Sequence, residues 1–311
     1  MHLSPQAKSD IEWWLRNLPC SFNIIGHPPI DVIIYTDASL TGWGASKGEQ
    51  STGGHWTEDE AMNHINYLEL MAVYFGLRSF IDNIRGKHVK LMIDNTTAVA
   101  VVNNKGTCHS KPCNSVACKI WNFSEANRIW LTAAHIPGVF NVNADFESRK
   151  QNIDTEWMLD SHLLRKSLSE LSVEPCIDLF ASRVNKQLKD YVSYKPDPYA
   201  KHIDAFTISW SNLVCYCFPP FSCILRVIRK IMEDNVEAVL VVPDWTSQTW
   251  YPLLLKILIQ PPIRLQASKR LLIMPSQPDL IHPLHSKLRD FLFVMYQESI
   301  AEQGTDRTGA L

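Results

Sequence analysis

DVIIYTDAS (Asp31–Ser39) is the stretch on which the fold turns. Its apolar run is rich in β-branched residues and predicts a buried strand. The run nevertheless carries Asp37, and a carboxylate in such a setting is costly unless it meets a cation. GWGASKG (Gly42–Gly48) and STGGHW (Ser51–Trp56) follow at short spacing with glycine turns, predicting two further antiparallel strands. Asn66-x-x-Glu69 then offers a helix N-cap with an acid at the third helical position. An apolar stripe at Leu68, Ala72, Phe75, Phe80 and Ile84 carries that helix to about Arg85. Thr57-x-x-Glu60 is a competing start signal. The order then alternates. HVKLMID (His88–Asp94) reads as a strand, Thr96–Asn103 as a short helix, and Lys111–Asn127 as a longer one. Arg128–His135 reads as a strand and Asn141–Arg149 as a last short helix. Three antiparallel strands, a helix, then strand–helix–strand–helix predict an α/β domain built on a mixed five-stranded sheet.

The chain has 311 residues, enough for two domains. Thirty Lys+Arg against thirty-two Asp+Glu give a net charge of −2, spread evenly, with no basic tail. Tight nucleic-acid binding by bulk electrostatics alone is therefore excluded. No apolar run reaches the ~18 residues that span a bilayer. Asp10 and Glu12 stand where a signal peptide needs an apolar stretch, so a soluble, intracellular protein of cytoplasm or nucleus is expected. Residues 5–18 read as an amphipathic helix with Ile11, Trp14, Leu15 and Leu18 on one side. Eight cysteines in so long a chain are not a disulfide framework. Cys108, Cys113 and Cys118, with His109, lack the spacing of a zinc knuckle and read as reduced thiols.

Glycine is absent from 139 to 303. That excludes a glycine-dependent phosphate loop in the second half and sets a domain boundary near residue 150. The expected division is a connector over 1–30, a first domain over 31–150, a linker and helix over 151–171, a second domain over 172–297, and a disordered tail over 298–311. In the second domain Pro175–Phe180, Leu213–Cys217 and Val236–Val242 read as buried strands separated by helical stretches, predicting an α/β unit with a mainly parallel sheet.

Four acids stand out. Asp37 lies in the first strand, Glu69 in the first turn of the long helix, Asp94 at the end of the fourth strand and Asp145 on the last short helix. Hard oxygen donors without His or Cys favour Mg²⁺ or Mn²⁺. Two such ions ~3.5–4 Å apart serve phosphodiester hydrolysis. Taken singly, each acid reads more often as an unrelated surface or helix-cap residue.

YTDAS…GWGA (Tyr35–Ser39, Gly42–Ala45), IN-x-x-EL (Ile65–Leu70), IDN-x-x-A (Ile93–Ala98) and HIPG-x-x-N-x-x-AD-x-x-SR (His135–Arg149) carry a resemblance. In this order they resemble a type-1 ribonuclease H domain, in the variant found in DIRS-type retrotransposon polyproteins. The resemblance implies that Asp37, Glu69, Asp94 and Asp145 bind two Mg²⁺ or Mn²⁺ ions and that the RNA strand of an RNA·DNA hybrid is cut. It assigns His135 to proton transfer or product release. Asn66 and Asn95, beside two of the acids, read as minor-groove contacts to the RNA 2′-OH or, equally, as cap and turn residues. One departure matters. Cellular members carry a basic protrusion between the third acid and the histidine, whereas here only Lys105, Lys111, Lys119 and Arg128 are scattered there. Weak autonomous affinity for the hybrid is expected, with an upstream reverse-transcriptase polymerase region supplying the grip; residues 1–24 resemble the end of that connection.

CIDLFAS (Cys176–Ser182), DAFTISWSNLVCYCFPPFS (Asp204–Ser222) and VLVVPDW (Val239–Trp245) resemble the region that follows ribonuclease H in the same retroelements. That region is related in pattern to phage-type DNA N6-adenine methyltransferases. Active members place Asn or Asp before Pro-Pro-aromatic, where this chain has Phe218, which accepts no hydrogen bond from an adenine amino group. A degenerate methyltransferase-like domain without S-adenosylmethionine binding is expected. Phe221, Trp245 and Trp250 read as core or base-stacking aromatics, and Asp178 and Asp244 as turn acids or relics. The functional expectation is a hybrid-specific ribonuclease; its rival is a catalytically inert nucleic-acid-binding or scaffold remnant.

Overall fold

Strand β1 (Val32–Ala38) is the middle of a five-stranded sheet in the computed structural model, which describes residues 2–20, 29–150, 156–259, 261–266, 268–283, 285 and 290–296. The tail 298–311 and parts of the connector and linker lie outside the described residues. With β2 (Gly42–Lys47), β3 (Gln50–His55), β4 (His88–Ile93) and β5 (Trp130–His135), the sheet order is β3-β2-β1-β4-β5. β1, β2 and β3 pair antiparallel, whereas β1, β4 and β5 run parallel, so the sheet is mixed as expected. Register aligns Thr36 with Ile93 and Ile93 with His135, which brings the ends of three strands, and the acids beside them, to one edge.

The helices are α1 (Pro5–Asn17), α2 (Glu58–Ala61), α3 (Ile65–Ser79), α4 (Ile81–Ile84), α5 (Thr96–Asn103), α6 (Lys111–Ala126) and α7 (Val142–Arg149). Of the two start signals around residue 60, the Thr57 signal opens a short helix and the Asn66 signal is not the cap of the long one. Thr57 and Glu60 close a capping box on α2. His64, not Asn66, caps α3: its Nδ1 accepts from the Asn66 backbone N–H at 3.2 Å. Asn66 is thus inside the helix and Glu69 falls in its second turn, two positions deeper than the spacing suggested. On α1, Ile11, Trp14, Leu15 and Leu18 are exposed. No helix among the described residues is long and apolar enough to cross a membrane.

Alternation along β2 decides which helix covers which face. Ala45 meets Gly76 of α3, while Gly44 points at Ala144 of α7. A Cβ on Gly44 would stand 2.0 Å from the Ala144 carbonyl oxygen, and one on Gly53 2.9 Å from that of Glu147. Only glycine lets α7 sit so low on the sheet.

The second sheet has the order β12-β14-β11-β10-β7. Its parallel part, β7 (Ile177–Asp178), β10 (Val214–Cys217) and β11 (Glu237–Pro243), matches the three expected strands. β12 (Ile263–Gln266) and β14 (Asp290–Tyr296) extend it antiparallel. Cys215, Cys217, Ala238, Leu240 and Val242 face one apolar cluster with α9 (Ile224–Asp234) and α10 (Tyr251–Ile257). Tyr216, Val239 and Val241 face another with α8 (Ser161–Leu171) and the short pair β6 (Met158–Leu159) and β13 (Leu272–Ile273). Strands buried on both faces explain why these runs are continuously apolar. A small parallel pair, β8 (Val192–Ser193) with β9 (His202–Ile203), lies to one side.

The two units are joined by charge. The Arg183 guanidinium grips both carboxylate oxygens of Glu60 at 2.9 Å, donates to the His55 carbonyl at 2.7 Å and lies over the Phe75 ring. His55 Nδ1 meets Glu156 Oε2 at 2.6 Å, both side chains buried. Lys195 Nζ lies 2.9 Å from Glu147 Oε1, the Thr52 hydroxyl donates to the Pro196 carbonyl, and Arg78 donates to that of Pro198 at 2.7 Å while stacking on Tyr199.

Two glycine variants separate space from backbone strain. Gly44→Ala should cost about 3 kcal/mol by forcing α7 off the sheet. Gly48→Ala, in a left-handed turn with nothing within 4 Å of the new methyl, should cost only about 1 kcal/mol. Denaturant melts of the full chain measure both; equal losses would refute the close helix seat.

Candidate active site

Asp37 ends the central strand, Glu69 looks down from α3 and Asp94 follows β4. Their carboxylates converge, with one oxygen from each lying within 4.8 Å of the other two. Asp37 and Glu69 are 3% and 4% exposed, and Asp94 is half-buried. Burial raises the Asp37 carboxyl to about 6; the Ser148 bond opposes this, and the charges of Asp94 and Asp145 add to it. Burial raises Glu69 to about 9, with Asp37 and Asp94 pushing the same way. Asp94 is raised by the same two kinds of cause, burial first and the Asp145 charge after it. Three acids this close and this dry are stable as anions only beside concentrated positive charge. Glu69 Oε2 is buried without a hydrogen-bond partner, which is what a ligand oxygen facing a cation looks like. An all-oxygen donor set of this kind fits Mg²⁺ or Mn²⁺.

Asp145 stands beside this triad rather than within it. It lies in the first turn of α7, and its Oδ1 takes the Arg149 Nε at 2.6 Å in a largely exposed pair. Its charge still raises Asp37 and Asp94. Two residues of the same helix, the Ser-Arg that ends the motif quoted above, had been given no role by the sequence. Ser148 donates to Asp37 Oδ2 at 2.6 Å and to the Asp145 carbonyl, tying strand acid to helix acid. Arg149 is the cation that Asp145 meets. Their positions three and four residues after Asp145, on one helix face, were the available signal.

His135 is the last residue of β5, exposed, with its Nε2 3.1 Å from the Asp94 backbone carbonyl. The following loop crosses the acid directly: a Cβ on Gly138 would lie 3.1 Å from Asp94 Oδ2. Asn95 caps α5 by accepting from the Ala98 N–H at 2.9 Å, and its Nδ2 donates to Asn66 Oδ1 at 3.0 Å. The two asparagines therefore form one partly exposed unit beside Glu69 and Asp94. An open groove of about 370 Å³, lined among others by Asn66, Tyr67, Thr97, Val101 and His109, leads away from them.

In the second unit, Asp178 is buried and raised to about 6 by desolvation, and it accepts from the Gln187 and Phe180 backbone N–H groups. It closes a loop. Asp244 accepts from the Tyr251 hydroxyl at 2.8 Å and pairs with Arg264. Phe218 packs with Phe221 and Trp245 against one apolar cluster, and Trp250 is buried in the other.

No family model matches the chain, and no curated protein does. Solved structures resemble part of it. Ribonuclease H1 of the halophilic archaeon Halobacterium salinarum is 16% identical and covers 37% of this chain and 92% of its own, with a TM-score of 0.31. LC11 ribonuclease H1, solved in complex with an RNA/DNA hybrid, is 18% identical over 38% of this chain and 93% of its own, with a TM-score of 0.33. The foamy viral protease–reverse transcriptase, also solved with a hybrid, is 14% identical over 51% of this chain and 23% of its own, with a TM-score of 0.29.

Proposed function

We propose that the first unit is a divalent-metal-dependent endonuclease that hydrolyses the RNA strand of RNA·DNA hybrids. The convergence of Asp37, Glu69 and Asp94 within 4.8 Å, around a buried and unpartnered Glu69 oxygen, carries this reading. Asp37, Glu69, Asp94 and Asp145 would hold the metal pair. When bound, such a pair activates water and stabilises the leaving oxygen of a phosphodiester. Asp145 reaches this role by exchanging Arg149 for the cation. His135, exposed at the strand end and anchored to the Asp94 carbonyl, moves a proton at the rim or helps the product leave. The Asn66–Asn95 unit offers amide groups to the 2′-OH, which marks the RNA strand. Scattered lysines and an Arg149 already engaged with Asp145 favour a polyprotein context, with an upstream reverse-transcriptase polymerase region holding the hybrid. The first domain is taken as 31–150 and the second, methyltransferase-like in pattern and without methylation chemistry, as 172–297.

The purified chain should cleave labelled RNA in a hybrid with Mg²⁺ or Mn²⁺ and leave the DNA strand and duplex RNA intact. Asp94→Asn should reduce cleavage to background with the melting temperature preserved. Equal cleavage by wild type and variant would mean a contaminant and leave the inert remnant as the reading.

Ionisation of the acids should also be visible in stability. Their folded values lie above the ordinary carboxylate range, so the native state holds protons that the unfolded chain releases, and stability falls as pH rises. With chelator present, melting temperature should drop as pH rises from about 4 toward about 9, because the unfolded chain releases protons that folded Asp37, raised to about 6, and Glu69, raised to about 9, retain. Mg²⁺ should restore more at the higher pH than at the lower, and Asp37→Asn should flatten the chelator profile. A Mg²⁺ effect independent of pH would count against the metal site.

Grip is testable separately. Joining a polymerase connection region or a basic module to the chain should lower KM for the hybrid more than it raises kcat. Nanomolar hybrid binding by the chain alone would contradict the weak grip.

A further inference from the structure

The helix that presents Asp145 has little of its own to stand on. α7 spans eight residues, well below the length at which isolated helices persist. Asn141 gives it no side-chain cap. Its buried residues are Ala144, Glu147 and Ser148, so a single apolar side chain is buried, while Val142 and Phe146 face outward. What holds it is polar. Ser39 donates to the Ser148 carbonyl at 2.7 Å, Asn141 donates to the Thr36 carbonyl at 2.9 Å, and Ser148 donates to Asp37. The remaining anchor is Glu147, whose side chain is 6% exposed. Its Oε1 accepts from Ser51 at 3.0 Å and from Lys195 at 2.9 Å, and its Oε2 from Lys195 at 3.2 Å. The cation that neutralises this buried acid thus comes from the second unit, 48 residues away in the chain.

Glu147 lies two positions beyond Asp145, so it points to the back of the helix, toward β3, while Asp145, Ser148 and Arg149 share the side of the acids. Removing Lys195 would leave a carboxylate desolvated with one neutral donor, and the relief available is for α7 to lift toward water. Any lift moves Asp145 and breaks the Ser148 bond to Asp37. From this we propose that the second unit is a brace for the metal site: Lys195 acts through Glu147 as a positioning residue that seats α7. The proposal rests on the metal-dependent reading of the acids, and it gives the second unit a role that needs no ligand of its own.

The test uses the full chain and Mn²⁺ as the probe. Lys195→Met should weaken Mn²⁺ binding about tenfold by titration calorimetry. It should also speed amide exchange in α7 while exchange in β4 and β10 stays at the wild-type level. Lys195→Arg should retain wild-type binding. In the pair Lys195→Met with Glu147→Gln, the uncompensated charge is gone and binding should recover most of the loss. Lys201→Met, which breaks an exposed pair with Asp190, serves as a control with both readouts unchanged. Wild-type Mn²⁺ affinity and α7 exchange in Lys195→Met would overturn the brace. Should Lys195→Met unfold, failure of Glu147→Gln to rescue folding and binding would overturn it equally. If the calorimetric and exchange changes appear while neither protein cleaves hybrid, the nuclease reading fails and the brace stands.

Discussion

Carboxylates do not gather in a dry place unaided. Asp37 and Glu69, nearly free of water, and Asp94 beside them repel one another and resist ionisation, and much of the first unit exists to hold them there. Strand register sets Asp37 next to the end of β4, α3 lowers Glu69 from above, and Ser148 fixes one Asp37 oxygen from below. Each contact trades stability for chemistry: a site comfortable without a cation would bind one poorly. The glycines of β2 and β3 belong to the same arrangement, because they let α7 approach closely enough for Ser148 to reach its acid.

Much of this was legible in the chain. An apolar run with β-branched residues named β1, glycine turns named the antiparallel hairpins, and an acid inside DVIIYTDAS stood out before any contact was known. Local signals were less decisive where two of them competed. Asn66 and Thr57 both looked like helix starts, and only the fold gave the first role to His64 and turned Asn66 toward Asn95. Asp145 was recognised, but its Arg149 partner and the Ser148 link were not, since a helix face alone does not reveal what lies opposite. The polar pairs between the units were invisible: His55 and Glu156 are 101 residues apart, and nothing in either neighbourhood marks the other. β12 and β14 were missed for a related reason, because antiparallel addition to a buried sheet leaves no turn of its own to read.

The second unit holds its buried acids in a different way. Parallel strands still end at one edge, yet the acids there are spoken for. Asp178 closes its own loop, Asp244 is held by Tyr251 and Arg264, and Phe218 packs its ring against the apolar core. Such an edge is stable because its polar groups are satisfied internally, which is the opposite of the condition around Glu69. The two edges thus differ in whether their acids find partners within the fold.

The guanidinium of Arg183 carries a consequence for how this chain could be divided. It touches Glu60, the His55 carbonyl and the Phe75 face at once, so three neighbours on one side are fitted to a single residue on the other. A first unit transplanted without the second would carry exposed scars: an acid shaped for an absent fork, a histidine without its carboxylate and an aromatic face open to water. Separating the two units would thus remove partners that neither unit replaces from within itself. Contacts of this kind cross a boundary drawn near residue 150 and tie its two sides together.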